Sequence, residues 1–292
     1  MIAERIWLPY LQLVRIPNAF TAVSNSLAAH LIATGGQIRW GSLLLLMLAS
    51  AFLYSGGMVF NDCFDYEEDR RDRPFRPLPS GRIPISTAWL LGGLLLALGV
   101  VSAGMVGETQ LYWALALAAL IFIYDGLAKG SAVGALAMGG CRYLNWVLGL
   151  SIVDLDGALL SVPLVILIYV ISLTRLSSIE TSGFSRRPIV QCIVGVIGAA
   201  LLLVGLVMSG TLPHAWPLVL LVLALWSVLR ELIATYREPT PESVQRSVKS
   251  LVLGIIPLDA LLAFCGGPWW GGVLVLSFVL PSRLLARHIR VT

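Results

Sequence analysis

Apolar residues run along this chain in long uninterrupted blocks, separated by short polar or Pro/Gly-rich segments. A helix that crosses a hydrocarbon core of roughly 30 Å needs about 20 residues. Blocks near 19–34, 41–60, 88–106, 111–124, 133–152, 159–173, 189–208, 213–232, 251–264 and 269–280 meet or approach that length. They predict an all-α membrane protein, a polytopic helical bundle of nine to ten transmembrane helices filling one domain over residues 1–292. The last two blocks are short and could form a hairpin or one broken span. Composition agrees: 58% of the 292 residues are hydrophobic and 12% charged, about half the charged share of a soluble domain. Arg15 and Pro17 enter the first block and no small-residue cleavage site follows it, so no cleavable signal peptide is expected.

Basic residues orient the bundle, because Lys and Arg in short loops collect on the cytoplasmic side. Arg5 and Arg15, Arg70 to Arg82, Lys129, Arg175 to Arg187, Arg230 to Lys249 and Arg283 to Arg290 fall before the first block, after each even block, or at the C-terminus. Only Arg39 falls on the other side, and ten spans put both termini in the cytoplasm. The net charge of +4 is what basic cytoplasmic loops give, and no nucleic-acid partner is expected. The polar loops after spans two and six share this face, which suggests two similar helical halves around one cavity. The cytoplasmic loops over it are residues 61–87, 124–132 and 174–188.

Cys63, Cys141, Cys192 and Cys265 lack CxxC spacing, and the three that lie within or beside apolar blocks read as small core residues. Three histidines leave little for a zinc site, and His30 reads as a packed polar residue. The chemistry sits in the run Asn61-Asp62-Cys63-Phe64-Asp65-Tyr66-Glu67-Glu68-Asp69-Arg70-Arg71-Asp72-Arg73, directly after the second span. At helical pitch Asp62, Asp65, Asp69 and Asp72 stand on one face, where their repulsion calls for cations. Hard oxygen ligands suit Mg²⁺, which takes one or two carboxylates and completes its shell with water and phosphate oxygens. Arg70, Arg71, Arg73, Arg76 and Arg82 follow, with forked guanidinium groups suited to phosphate. The alternative is a solvated loop whose acids and bases pair with one another.

The run from Asn61 through Asp69, then Arg73 and Arg76-Pro77-Leu78-Pro79-Ser80-Gly81, resembles the first signature of the UbiA-type intramembrane prenyltransferases. The resemblance implies an enzyme that binds a polyprenyl diphosphate through Mg²⁺, ionises it and alkylates a small, aromatic acceptor. It assigns Asp62, Asp65, Asp69 and Glu180 to metal and catalysis, and Asn61, Arg73, Arg76, Lys129 and Arg142 to the diphosphate. Tyr54, Phe60, Phe64, Tyr124, Tyr143 and Trp146 are candidates for a wall sheltering an allylic cation, each with ordinary packing as the alternative. The implied location is a bacterial plasma membrane, with the site on the cytoplasmic side.

The second signature departs from the pattern. Where the family has a second aspartate-rich segment, residues 173–183 hold Glu180 as their one acid, which puts two-metal ionisation in doubt. Glu180 and the segment Met138-Gly139-Gly140-Cys141-Arg142-Tyr143-Leu144-Asn145 are similar to the EboC-type subgroup, which implies secondary metabolism. A second function class follows, a non-catalytic UbiA-like protein that binds or exports a hydrophobic precursor. Arg142 within an apolar block either binds diphosphate or pairs with an acid of another helix. Asp259 reads as a helix–helix hydrogen-bonding group, and Asn18 either reaches the cavity or caps its helix. Asp259 as the sole mid-span acid argues against an ion-coupled transporter.

Overall fold

The structure, a computed structural model, describes residues 3–129, 131–180 and 185–289. In chain order its helices are α1 (Ala3–Leu13), α2 (Ile16–Ala33), α3 (Trp40–Phe64), α4 (Tyr66–Asp72), α5 (Ile85–Gly104), α6 (Glu108–Ile123) and α7 (Ala132–Leu150). They continue with α8 (Gly157–Ser161), α9 (Leu164–Ser177), α10 (Arg186–Met208), α11 (Leu218–Arg237), α12 (Pro241–Gly266), α13 (Trp269–Ser277) and α14 (Val279–His288). Among the described residues there is no strand, and the chain is an integral membrane protein.

Among the described residues, eight stretches are long and apolar enough to cross a membrane: α3, α5, α6 with the turn after it, α8 with α9, α10, α11, α12, and α13 with α14. The two remaining expected spans are α2 and α7. Their hydropathy is diluted by residues that face inward: Thr21, Ser24, Asn25, Ser26 and His30 on α2 are buried, as is Asn145 on α7. These polar residues of α2 and α7 are thus packed inside, while α11 presents Val219, Val222 and Trp226 outward and is mostly exposed.

Element boundaries depart from the sequence expectation in ways that matter for the site. Helix α3 runs to Phe64, so Asn61 and Asp62 belong to its last turn. The helix breaks at Asp65 and restarts as α4, so helical pitch does not carry through and Asp72 is exposed, off the face of Asp62 and Asp69. The expected loop at 124–132 begins instead as a π-helical turn, Tyr124–Ala128, continuing α6. The final span is broken at Phe278. Residues 181–184 of the expected loop 174–188 lie outside the described residues.

Helices approach closely through reciprocal glycine and large-residue contacts. A Cβ at Gly56 would stand 2.8 Å from Leu96, one at Gly99 would stand 2.7 Å from Leu53, and one at Gly92 would stand 3.2 Å from Phe60. This seam locks α3 to α5 and fixes how α3 presents Asp62. Overpacking such a contact costs about 1–3 kcal/mol. Gly99→Val is therefore expected to lower the thermal midpoint of the detergent-solubilised protein. Gly93→Val, whose added Cβ would meet no atom within 4 Å, is expected to leave it unchanged.

Candidate functional site

One end of the bundle gathers acids and bases from four elements. Arg15, between α1 and α2, adopts a left-handed backbone (φ 48°), a conformation costing a non-glycine residue about 1–2 kcal/mol. Its guanidinium donates to Asp62 Oδ1 at 2.8 Å. Arg76 stands between two carboxylates, 2.7 Å from Asp69 Oδ2 and 3.7 Å from Asp62 Oδ1. Arg73 lies 3.7 Å from Asp69 Oδ1, and Lys129 pairs with Asp65. Asp62, Asp69 and Arg76 are buried. Charge pairs of this kind need close geometry to offset their desolvation.

The π-helical turn adds an acid that the sequence reading passed over. Asp125 is buried and accepts a hydrogen bond from Asn61 Nδ2 at 2.9 Å. The same turn carries Lys129 across to Asp65. Single π turns inside α-helices recur at functional sites. The signal available in the sequence was an acid at the end of an apolar block, where it reads as the start of a loop.

Below the mouth lies a cavity of about 70 Å³ bounded by α2, α3, α6, the π turn and α7. Asp125 and Tyr124 line its outer part, and Tyr54, Ser50, Arg142 and Asn145 line it further in. Asn18 lies beside Tyr54, and the N-terminus of α2 has no side-chain cap. Beyond the cavity Asp259 accepts hydrogen bonds from Ser24 (2.5 Å), Asn25 (2.7 and 2.8 Å) and Trp146 (3.2 Å). The expected interhelical role of Asp259 is thus what its contacts show.

The structure brings Asn61, Asp62, Asp65, Asp69, Arg73, Arg76 and Lys129 together at the mouth. Glu180 joins them electrostatically: burial pushes its carboxyl pKa up, while Arg73, Lys249, Arg15 and Arg76 act in the opposite sense. Arg142 does not join them. It stands over the Tyr54 ring at 5.1 Å and bonds Thr21 and Asn25. Of the six aromatic candidates only Tyr54 and Tyr124 line the cavity. Phe60 packs against Trp89 and Phe122, Phe64 against Trp89, Tyr143 bonds the Leu160 carbonyl, and Trp146 is buried on Asp259. Arg175 is engaged by Gln191, and Arg186 lies over Tyr236.

Among the described residues no group of three acids, histidines or cysteines is arranged to enclose a metal ion by itself. Mg²⁺ takes one or two carboxylates and relies on substrate phosphate oxygens for the rest, and the carboxylates of the mouth are oxygen donors of the kind it would use.

The model of the UbiA prenyltransferase family matches residues 22–248. The chain belongs to that family. Among curated relatives, it is similar to a digeranylgeranylglyceryl phosphate synthase of Sulfolobus acidocaldarius, 26% identical over 96% of this chain and 91% of the relative. It spans about a third to a half of the length of four other curated proteins of that name, at 30–39% identity. Among solved structures, one described as that of a digeranylgeranylglyceryl phosphate synthase in membranes covers 94% of this chain and 99% of its own, with TM-score 0.68 and 23% identity. A UbiA homologue from Archaeoglobus fulgidus, solved with DMAPP and Mg²⁺, covers 92% of this chain and 99% of its own, with TM-score 0.54 and 16% identity.

For this UbiA-family member the shared cation at the mouth is open to test. Removing one partner from a buried ion pair costs about 3–5 kcal/mol, and Arg76 serves two carboxylates. Arg76→Ala is expected to destabilise the protein by about that amount in SDS titration. Arg70→Ala, which breaks an exposed pair with Glu67 at 3.4 Å, is expected to cost less than about 1 kcal/mol.

Proposed function

We propose that this chain transfers a prenyl group from a prenyl diphosphate to an acceptor held in the cavity beneath the mouth. The observation that carries the reading is the placement of Asp62, Asp65 and Asp69 with Arg15, Arg73, Arg76 and Lys129 around the open end of that cavity. Family membership and the relatives' names support it. Asp62, Asp65 and Asp69 would hold Mg²⁺ jointly with the diphosphate, with Glu180 as a further oxygen donor. The metal would neutralise charge developing on the leaving group.

Arg73, Arg76 and Lys129 bind diphosphate oxygens, exchanging a carboxylate partner for a phosphate one. Asp125 orients Asn61 toward the same oxygens. The C1–O bond of the prenyl diphosphate breaks and the diphosphate leaves with the bonding pair. The acceptor atom then bonds to C1, and its proton passes to the released diphosphate. Tyr54 and Tyr124 line the cavity, and aromatic rings there would stabilise an allylic cation.

The acceptor is either a small aromatic molecule or, following the relatives' names, a hydroxyl of a glyceryl phosphate. The basic end of the bundle faces the cytoplasm in this reading, by the positive-inside rule. Glu180 as the lone acid of the second loop keeps a carrier as the second reading.

Diphosphate release by the purified chain in nanodiscs, across geranyl to long-chain diphosphates, tests the proposal. Release is expected to require Mg²⁺ and to fall at least about 100-fold in Asp65→Ala. That corresponds to about 2.7 kcal/mol of lost transition-state stabilisation. Tight metal-dependent binding without release from any chain length would instead identify a carrier.

A further inference from the structure

The ion pairs among the described residues involve Arg15, Arg70, Arg73, Arg76 and Lys129, and Arg142 enters none of them. This is unusual company for a cation set among membrane helices, where charges normally pair and where they mark sites when they do not. Its surroundings explain how it is kept there. Nη2 donates to Thr21 Oγ1 at 2.8 Å, Nη1 donates to Asn25 Oδ1 at 3.3 Å, and the guanidinium carbon lies 5.1 Å from the Tyr54 ring centroid.

Asn25 fixes the arrangement from below. Its Nδ2 donates to both Asp259 oxygens, so its Oδ1 is forced to face Arg142 and Asn145. Asp259 receives its hydrogen bonds from Asn25, Ser24 and Trp146 and does not need the guanidinium. Asp259 thus offsets the charge of Arg142 at a distance without occupying its donors. Arginine carries five N–H groups, and two are used here. The side chain lines the cavity, with Ser50, Tyr54 and Asn145 beside it.

Depth decides which anion this cation serves. Tyr54 precedes Asp62 by eight residues on α3, a helical rise of about 12 Å. A diphosphate held by Asp62, Asp69 and Arg76 fills the mouth and leaves Arg142 two turns further in. We infer that Arg142 binds an anionic group of the acceptor, a phosphate or carboxylate, so that the acceptor sits anion-inward with its nucleophile pointing back toward the mouth. Arg142 is then a specificity-determining residue rather than part of the diphosphate site. The inference rests on the prenyl-transfer reading of the cavity, and it names the acceptor class for it.

Equilibrium binding to the purified chain in nanodiscs, without Mg²⁺ and without prenyl diphosphate, tests this directly. The probes are geranylgeranylglyceryl phosphate against geranylgeranylglycerol, and 4-hydroxybenzoate against phenol. Wild type is expected to favour the anionic member of at least one pair by tenfold or more, and the pair that shows the preference identifies phosphate or carboxylate. Arg142→Gln is expected to erase it. Arg142→Lys, which keeps the charge, and Thr21→Val, which removes one orienting bond, are expected to reduce it three- to tenfold and serve if the first variant does not fold.

Two results would overturn the inference: no anionic preference in wild type for either pair, or a loss of geranylgeranyl diphosphate affinity in Arg142→Gln as large as the loss for the anionic acceptor. Diphosphate release measured in parallel separates the two claims. A chain that releases diphosphate yet shows no anionic preference defeats the Arg142 assignment alone. A chain with the preference but no release defeats the transfer reading alone.

Discussion

A carboxylate surrounded by hydrocarbon must take every hydrogen bond from neighbouring helices, because no water is at hand. Asp259 meets that demand with donors from α2 and α7: Ser24, Asn25 and Trp146. The requirement sets the rotation of three helices at once. It also explains why α2 and α7 are not among the helices that composition alone marks as spans, since the residues that satisfy Asp259 and Arg142 dilute their hydropathy. The polar faces of such helices are stable only in the interior, and the more apolar α5 and α10 are left to face lipid. The polar centre therefore comes first in the logic of the fold, and the lipid-facing sheath follows from it.

Much of this was legible in one dimension, and the reasons are physical. Apolar blocks about as long as the hydrocarbon core is thick mark spans whatever their tertiary contacts, and Lys/Arg asymmetry groups their ends. The run from Asn61 to Asp69 was legible because acids so dense at the end of an apolar block have few structural uses. Asp72 was misplaced because pitch was extrapolated through Asp65, where α3 stops and α4 begins. Tyr124 to Ala128 was expected as loop because a single π turn is too short to set up a period in the apolar pattern. Asp125 was missed with it. Arg15 was read only as an orienting charge. Its pairing with Asp62 depends on a left-handed backbone that no residue type announces.

Arg142 shows a different limit. Sequence reasoning offered two roles, diphosphate binding or an ion pair with an acid of another helix. The structure supplies a third arrangement, in which Asp259 acts on the guanidinium through Asn25 and neither touches it nor uses its donors. Residue spacing cannot encode that, because the three groups come from α2, α7 and α12 and meet only in the packed bundle.

Electrostatics then divides the interior into two levels. At the mouth Asp62, Asp65, Asp69 and Asp125 face Arg15, Arg73, Arg76 and Lys129, a set whose formal charges cancel. A diphosphate arriving with a divalent cation brings charges of both signs, so the mouth can exchange partners without acquiring a large net charge. Glu180 fits this balance: it is half-buried in the field of Arg73, Lys249, Arg15 and Arg76, and a second acid beside it would need a further cation to neutralise it. The inner level holds one cation balanced by one distant carboxylate, so it attracts an anion that the neutral mouth does not repel. In the proposed reaction, separating the two levels by about two helical turns would keep the diphosphate and the acceptor's anionic group from competing for the same guanidinium. The carbon–oxygen bond would then break in the stretch between the two levels, which runs from Tyr124 at the mouth to Tyr54 beside Arg142.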